Sequence, residues 1–106
     1  MIFTALAEAA DKGELILVPD GMMRYHRRGD GVVVIREILV LPFRRRTGVG
    51  KRLIETLLSR HGNAQRVIRA KCPVKYADAN RFWPAMGFTL IEEKGGINLW
   101  QRPGQG

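Results

Sequence analysis

The chain has 106 residues, 45% of them hydrophobic and 26% charged, with a formal net charge of +8 and one cysteine. That length suffices for a single domain (1–106) with one core and no staples, and the lone Cys72 excludes an internal disulfide and a cysteine-rich zinc site while suiting a reducing, cytoplasmic setting. No apolar run reaches the roughly 18 residues needed to cross a bilayer, because Arg36 and Glu37 interrupt the longest one, so no membrane partner is expected.

The opening "MIFTALAEAA" imitates a signal peptide but lacks a basic start and carries Glu8 within its apolar run, so it reads as a helix. Phe3, Leu6, Ala7 and Ala10 share one face of it, and Gly13 ends it. "ELILV" predicts a strand closed by the turn "PDG", with "MMRYHRR" as its hairpin partner and "GDG" as the next turn. "VVVIREILVL" (32–41) predicts a central strand apolar on both faces, Val33, Ile35, Leu39 and Leu41 on one and Val32, Val34, Ile38 and Val40 on the other. A helix follows from about Gly48 to His61, burying Val49, Leu53, Ile54, Leu57 and Leu58, with Gly62 and Asn63 as its stop. "QRVIRAKC" predicts a further strand. "DANRFWPAMGF" predicts a short helix with Asp78 as N-cap, Pro84 as a kink and Gly87 as its end. "FTLIEE" and "INLWQR" predict a closing hairpin around "KGG", with Phe88 and Trp100 in the core, and "PGQG" (103–106) a frayed tail. The order is α-β-β-β-α-β-α-β-β, with a core over 14–102.

The chemistry concentrates at the turn "RRRTGVGKR", where five basic residues fall within nine positions, Arg44 to Arg52, beside Gly48 and Gly50. Charge is placed unevenly along the chain as well. Glu8, Asp11, Lys12, Glu14 and Asp20 give residues 1–23 a net −3, which leaves +11 on the remainder. Such a bias favours an anionic partner: nucleic acid, a phosphorylated cofactor or an acidic protein surface. At the turn, two glycines let the backbone approach a ligand, and the following helix aims its free N–H groups and positive dipole end at the same point. That combination suits a diphosphate. A Walker A loop fails, since Gly48 stands too close to Gly50-Lys51 and Arg52 fills the hydroxyl position. A dinucleotide fingerprint fails too, since Leu53 replaces its third glycine and Arg69 lies where an acid belongs.

What remains is Arg-x-x-Gly-x-Gly, formed by Arg45, Gly48 and Gly50. With it, "ILVLPFRRRTGVGKRLIETLL" and "ANRFWPAMGF" at the expected separation, the chain resembles the GNAT superfamily of N-acetyltransferases across residues 14–102. The resemblance implies an α/β (α+β) fold with a mixed, mostly antiparallel central sheet, splayed at the acyl-CoA strand and flanked by helices, here without the family's usual first strand and helix. It implies acetyl-CoA as co-substrate, no metal, and transfer of acetyl to a primary amine. Leu39, Val40 and Leu41 would pair with the pantetheine arm. Amides from Arg45 through Arg46, Thr47, Gly48, Val49 and Gly50 to Lys51 would cradle the pyrophosphate. Asn80 would bond the far end of the cofactor, and Phe82 or Trp83 would pack near the thioester.

Catalysis needs a proton acceptor for the amine and a donor for the developing oxyanion, which the Val40 N–H could supply. Glu37 is the leading base; the competing reading is an ion pair with Arg36, Arg69 or another strand neighbour. His26 is a further candidate base but reads more simply as a surface residue. Cys72, with no His–acid partners, reads as a structural thiol. Trp83 stands where many relatives carry the tyrosine that protonates the CoA sulfur, and indole cannot act as an acid near neutral pH; Tyr76 could substitute. The short amino terminus suits an open site and a macromolecular acceptor, though a second copy of the chain could rebuild the missing wall. Two other readings stand beside this one: a CoA-binding module without turnover, and a nucleic-acid-binding domain in which Arg44, Arg45, Arg46, Lys51 and Arg52 meet phosphates. The aromatics are not interleaved with the basic run, which disfavours the second.

Overall fold

The computed structural model describes residues 2–41, 48–60 and 66–104. Its elements are α1 (Ile2–Asp11), β1 (Leu15–Val18), β2 (Gly21–Arg27), β3 (Val32–Val40), α2 (Val49–Arg60), β4 (Val67–Pro73), α3 (Ala77–Ala85), β5 (Thr89–Lys94) and β6 (Ile97–Pro103), the order that the sequence predicts. The strands form one open sheet, β1-β2-β3-β4-β6-β5. The β3–β4 pair is parallel and the other pairs are antiparallel. A parallel step needs a crossover, and α2 provides it. No helix among the described residues is long and apolar enough to cross a membrane.

One face of the sheet carries the core. Ile16, Met23, Tyr25, Val33, Ile35 and Ile68 pack against Leu53, Ile54 and Leu57 of α2 and Trp83 of α3, with Phe88 and Trp100 closing the far side. The helix α2 can do this because its apolar residues recur every three or four positions. Tyr25 is 1% exposed, yet its hydroxyl still donates to the Gly13 carbonyl at 2.7 Å, which ties the α1–β1 turn to the sheet.

Three local features depart from the sequence pattern. First, β3 does not alternate throughout. Arg24 pairs with Glu37 but Tyr25 pairs with Ile35, so Arg36 is an extra residue in the ladder. A bulge of one residue shifts the side-chain phase by one. Ile38 and Val40 therefore join Val33 and Ile35 on the core face, while Leu39 and Leu41 stand 52% and 38% exposed. Second, α3 is capped at Tyr76 without a side-chain bond, and Asp78 lies inside the first turn facing Arg81 at 3.5 Å. Pro84 falls in the last turn, and the helix runs on to Ala85. Third, residues 103 and 104 are anchored rather than frayed: Pro103 pairs with Val67, and the Gly104 amide donates to the Arg66 carbonyl at 2.9 Å.

Candidate active site

The parallel pair is short. Registered partners run from Val32–Val67 to Ile35–Ala70 and stop there. Beyond them β3 continues only with β2, and Lys71, Cys72 and Pro73 of β4 pair only with β6. The bulge at Arg36 sits where the two strands part. From that point β3 presents an edge with no strand on its β4 side.

The polarity of that edge follows from one bond. The Leu41 amide donates to the Asp20 carbonyl at 2.9 Å, on the β2 side. Successive amides along an extended strand point to opposite edges. The Val40 N–H therefore points away from β2, into the opening.

A cleft of about 870 Å³ occupies the opening. Ile38, Leu39 and Val40 form its sheet wall, Gly48, Gly50 and Lys51 its α2 wall, and Tyr76, Phe82, Trp83 and Met86 its α3 wall. Gly48 has φ +88°, a conformation L side chains rarely adopt, and a Cβ there would meet nothing described within 4 Å. Its carbonyl accepts the first α2 bond, from the Arg52 amide at 3.0 Å. Gly48 is thus the cap, and the amides of Val49, Gly50 and Lys51 have no acceptor inside the helix. They bring the positive dipole end to one rim of the cleft.

At Gly50 the missing side chain makes room for a neighbouring ring. A Cβ there would lie 2.6 Å from Cε1 of Phe82. Val49 turns the other way, against Gly21 of β2, where a Cβ would lie 2.7 Å from Val49 Cγ1. Trp83 is 4% exposed and stacked edge-on between Phe82 and Phe88, at centroid distances of 5.1 and 5.0 Å. Its indole nitrogen is buried without a hydrogen-bond partner among the described residues. Burial pushes the Cys72 thiol up, and the nearby Trp83 indole offsets part of the rise; Cys72 is a structural thiol at neutral pH.

Asn80 has a different set of partners from those expected of a cofactor ligand. Its Nδ2 donates to the carbonyls of Pro73 and Tyr76, both at 2.9 Å. Its Oδ1 accepts from Asn98 Nδ2 at 3.0 Å and from Trp100 Nε1 at 2.9 Å. All four capacities of the amide are spent within the fold. Asn80 joins α3 to the end of β4 and to β6.

Glu37 lies on the sheet face opposite α2 and pairs with Arg24, its cross-strand partner, at 3.1 Å. The sequence reading named such a strand neighbour as the competing role. His26 Nδ1 lies 3.3 Å from Glu14, which is 8% exposed and also accepts from the Arg27 amide at 2.7 Å. Burial alone would raise the Glu14 pKa. The Arg27 amide and His26 outweigh it and hold the carboxyl below its usual 4.5. A folded-state pKa below the unfolded one adds stability that is full above about pH 4.5 and is lost as the pH falls through the lower, folded value. Melting curves across the acid range should therefore fall less steeply for Glu14→Gln than for the unchanged protein, and parallel curves would contradict this.

The cleft thus gathers Leu39, Val40, Gly48, Gly50, Lys51, Tyr76, Phe82 and Trp83 of the residues singled out in the sequence. Glu37, Leu41, Val49 and Asn80 lie outside its lining. Arg45, Arg46 and Thr47, with Arg44, fall outside the described residues. Ile38, Arg81 and Met86 were missed; Met86 lies four residues after Phe82, the spacing that returns a helix to the same face. No group of His, Cys, Asp and Glu among the described residues could hold a metal.

A sheet that splays beside a capped helix N-terminus is the architecture that the sequence resemblance implies, and the comparisons with known proteins agree on the fold. A model of the acetyltransferase (GNAT) family matches residues 3–88, and the chain belongs to that family. No curated protein matches the sequence at a significant level. Among solved structures, an acetyltransferase from Bacillus anthracis in complex with acetyl coenzyme A superposes with a TM-score of 0.72 at 20% identity, covering 79% of this chain and 56% of that one. A GNAT acetyltransferase from Listeria monocytogenes gives 0.70 at 18%, covering 91% and 67%. The ribosomal-protein-S18-alanine N-acetyltransferase of Escherichia coli gives 0.65 at 18%, covering 79% and 61%. The chain spans about three fifths of the length of most of these relatives.

Proposed function

We propose that the protein transfers an acetyl group from acetyl-CoA to a primary amine, on a protein side chain or amino terminus, and that residues 1–106 act as one cytoplasmic domain. The observation that carries this reading is the unpaired β3 edge, with the Val40 N–H aimed into a cleft that the α2 N-terminus closes at one end. An extended amide-bearing chain fits such an edge as an added strand. Its pyrophosphate fits the amides at Val49, Gly50 and Lys51, which have no acceptor inside the helix, beside the glycine that caps them.

Acetyl-CoA supplies an activated thioester. The chain's own residues then have three tasks. The Val40 N–H donates to the carbonyl oxygen where charge develops. Glu37, on the far face of the unpaired stretch of β3, takes the proton from an amine whose resting pKa is about 10.4. Tyr76, 53% exposed on the cleft wall, is the group able to donate toward the sulfur, because the Trp83 indole is buried and holds its proton. A thiol pKa of about 8.5 makes that donation helpful rather than essential. The openness of the cleft and a relative that acts on a ribosomal protein support a macromolecular acceptor.

The test is a thermal-shift titration with acetyl-CoA, set beside free-thiol release with a pool of peptide amines. Acetyl-CoA should stabilise the protein while free adenosine does not. Glu37→Gln should keep the shift and slow thiol release by roughly 10²–10⁴-fold. Binding without release in the unchanged protein would leave a CoA-binding module, and no shift at all would end the reading.

A further inference from the structure

The end of the sheet remote from the cleft carries a second, unassigned feature. Here β1, β3, β4 and β5 begin and β2 and β6 finish, and five arginines collect: Arg27 at the end of β2 and Arg28 after it, Arg60 at the end of α2, Arg66 before β4, and Arg102 on β6. Backbone bonds fix their order. The Arg28 amide donates to the Val32 carbonyl at 2.9 Å, the Arg66 amide to Gly31 at 2.8 Å and the Gly104 amide to Arg66 at 2.9 Å, one step per strand across the sheet. Arg60 is held beside β1 by a 2.6 Å bond from Nη1 to the Leu15 carbonyl. From β1 to β6 is four strand spacings, or about 19 Å.

These side chains are partly preorganised. Arg102 donates from Nη1 to the Met86 carbonyl at 2.7 Å and lies over the Phe88 ring. The stem of Arg66 lies over Gly31, where a Cβ would come within 2.8 Å of it. Arg27, Arg28, Arg60 and Arg66 are exposed. Of the acids on these strand ends, Glu14 is buried and committed to His26 and the Arg27 amide, and Asp30 pairs with Arg28 at 2.7 Å. Five arginines against these two carboxylates leave the band net cationic.

We propose that this arginine band docks the phosphate backbone of nucleic acid, independently of the acetyl-CoA cleft. Guanidinium forks match phosphate oxygens, and arginines spread over about 19 Å of one sheet end suit a linear polyanion. Phe88, the ring beneath Arg102, is buried and offers a base no stacking platform, so the contact reads the backbone and not the sequence.

The measurement is fluorescence anisotropy of a short, labelled, mixed-sequence single-stranded oligonucleotide over a salt series. About four phosphates met gives log K falling against log salt with a slope of about −3. Arg27→Glu with Arg66→Glu should cut affinity at least tenfold and make the slope shallower by about 1.4. Its unchanged acetyl-CoA thermal shift would show that the fold is intact, and Arg27→Gln with Arg66→Gln should change the slope in the same sense. The same reversal at Lys51 and Arg52 should weaken oligonucleotide binding far less. The proposal is overturned if the Lys51 and Arg52 reversal is the damaging one, if the Arg27 and Arg66 variants bind as the unchanged protein does, or if polyglutamate competes as well as the oligonucleotide.

Discussion

Gly48→Val should abolish stabilisation by acetyl-CoA while leaving a folded protein. At 100 times its dissociation constant a ligand adds roughly 2.7 kcal/mol to the unchanged protein. In the variant that gain should fall to near zero. The cause is the backbone, since Gly48 sits at φ +88° and caps α2 through its carbonyl bond to the Arg52 amide. A β-branched residue there costs about 1–2 kcal/mol if the angle is kept. If the angle relaxes, the cap turns and the amides of Val49, Gly50 and Lys51 no longer converge on the cleft. No Cβ clash contributes to this, because the space around the position is open among the described residues. Differential scanning fluorimetry with and without acetyl-CoA decides the matter; a full shift in the variant would remove Gly48 from the donor site.

Asn80→Ala should behave in the opposite way, with a large loss of stability and modest change in acetyl-CoA affinity. It strips the acceptor from two buried donors, Asn98 Nδ2 and Trp100 Nε1, and releases the carbonyls of Pro73 and Tyr76. Each stranded buried donor costs about 1–3 kcal/mol. Neighbouring Asn98 Oδ1 already lacks a partner among the described residues, so the site has little slack. Urea denaturation measures the loss, and calorimetric titration of acetyl-CoA measures the affinity. Preserved stability with lost binding would instead make Asn80 a cofactor ligand.

These two residues illustrate what could be read from the chain. The order of elements was legible because it rests on local chemistry, apolar period and turn residues; the splayed strand came only with the resemblance that the Arg-x-x-Gly-x-Gly spacing carries, and Gly48's part as the α2 cap was not read at all. The bonds that Asn80 makes within the fold were not legible, because its partners, Asn98 and Trp100, lie 18 and 20 residues on, where no local pattern records them. The faces of β3 were misassigned past Arg36 because an extra residue leaves the composition of a strand unchanged and shows only in the partner's register. Gly50 looked like a second ligand-facing glycine; that Phe82 fills its missing side chain depends on how α3 returns across the sheet.

That last contact has a mechanical consequence. The first turn of α2 is clasped on two sides, Val49 seated on Gly21 of β2 and Gly50 seated under Phe82 of α3. Both seats exist because a methyl group is missing. The anion-facing rim and the apolar wall of the slot are consequently one rigid jaw: widening the slot by displacing Phe82 frees the turn that orients the amides, and loosening that turn lets the ring settle inward. Slot width and anion geometry cannot be tuned separately in this chain.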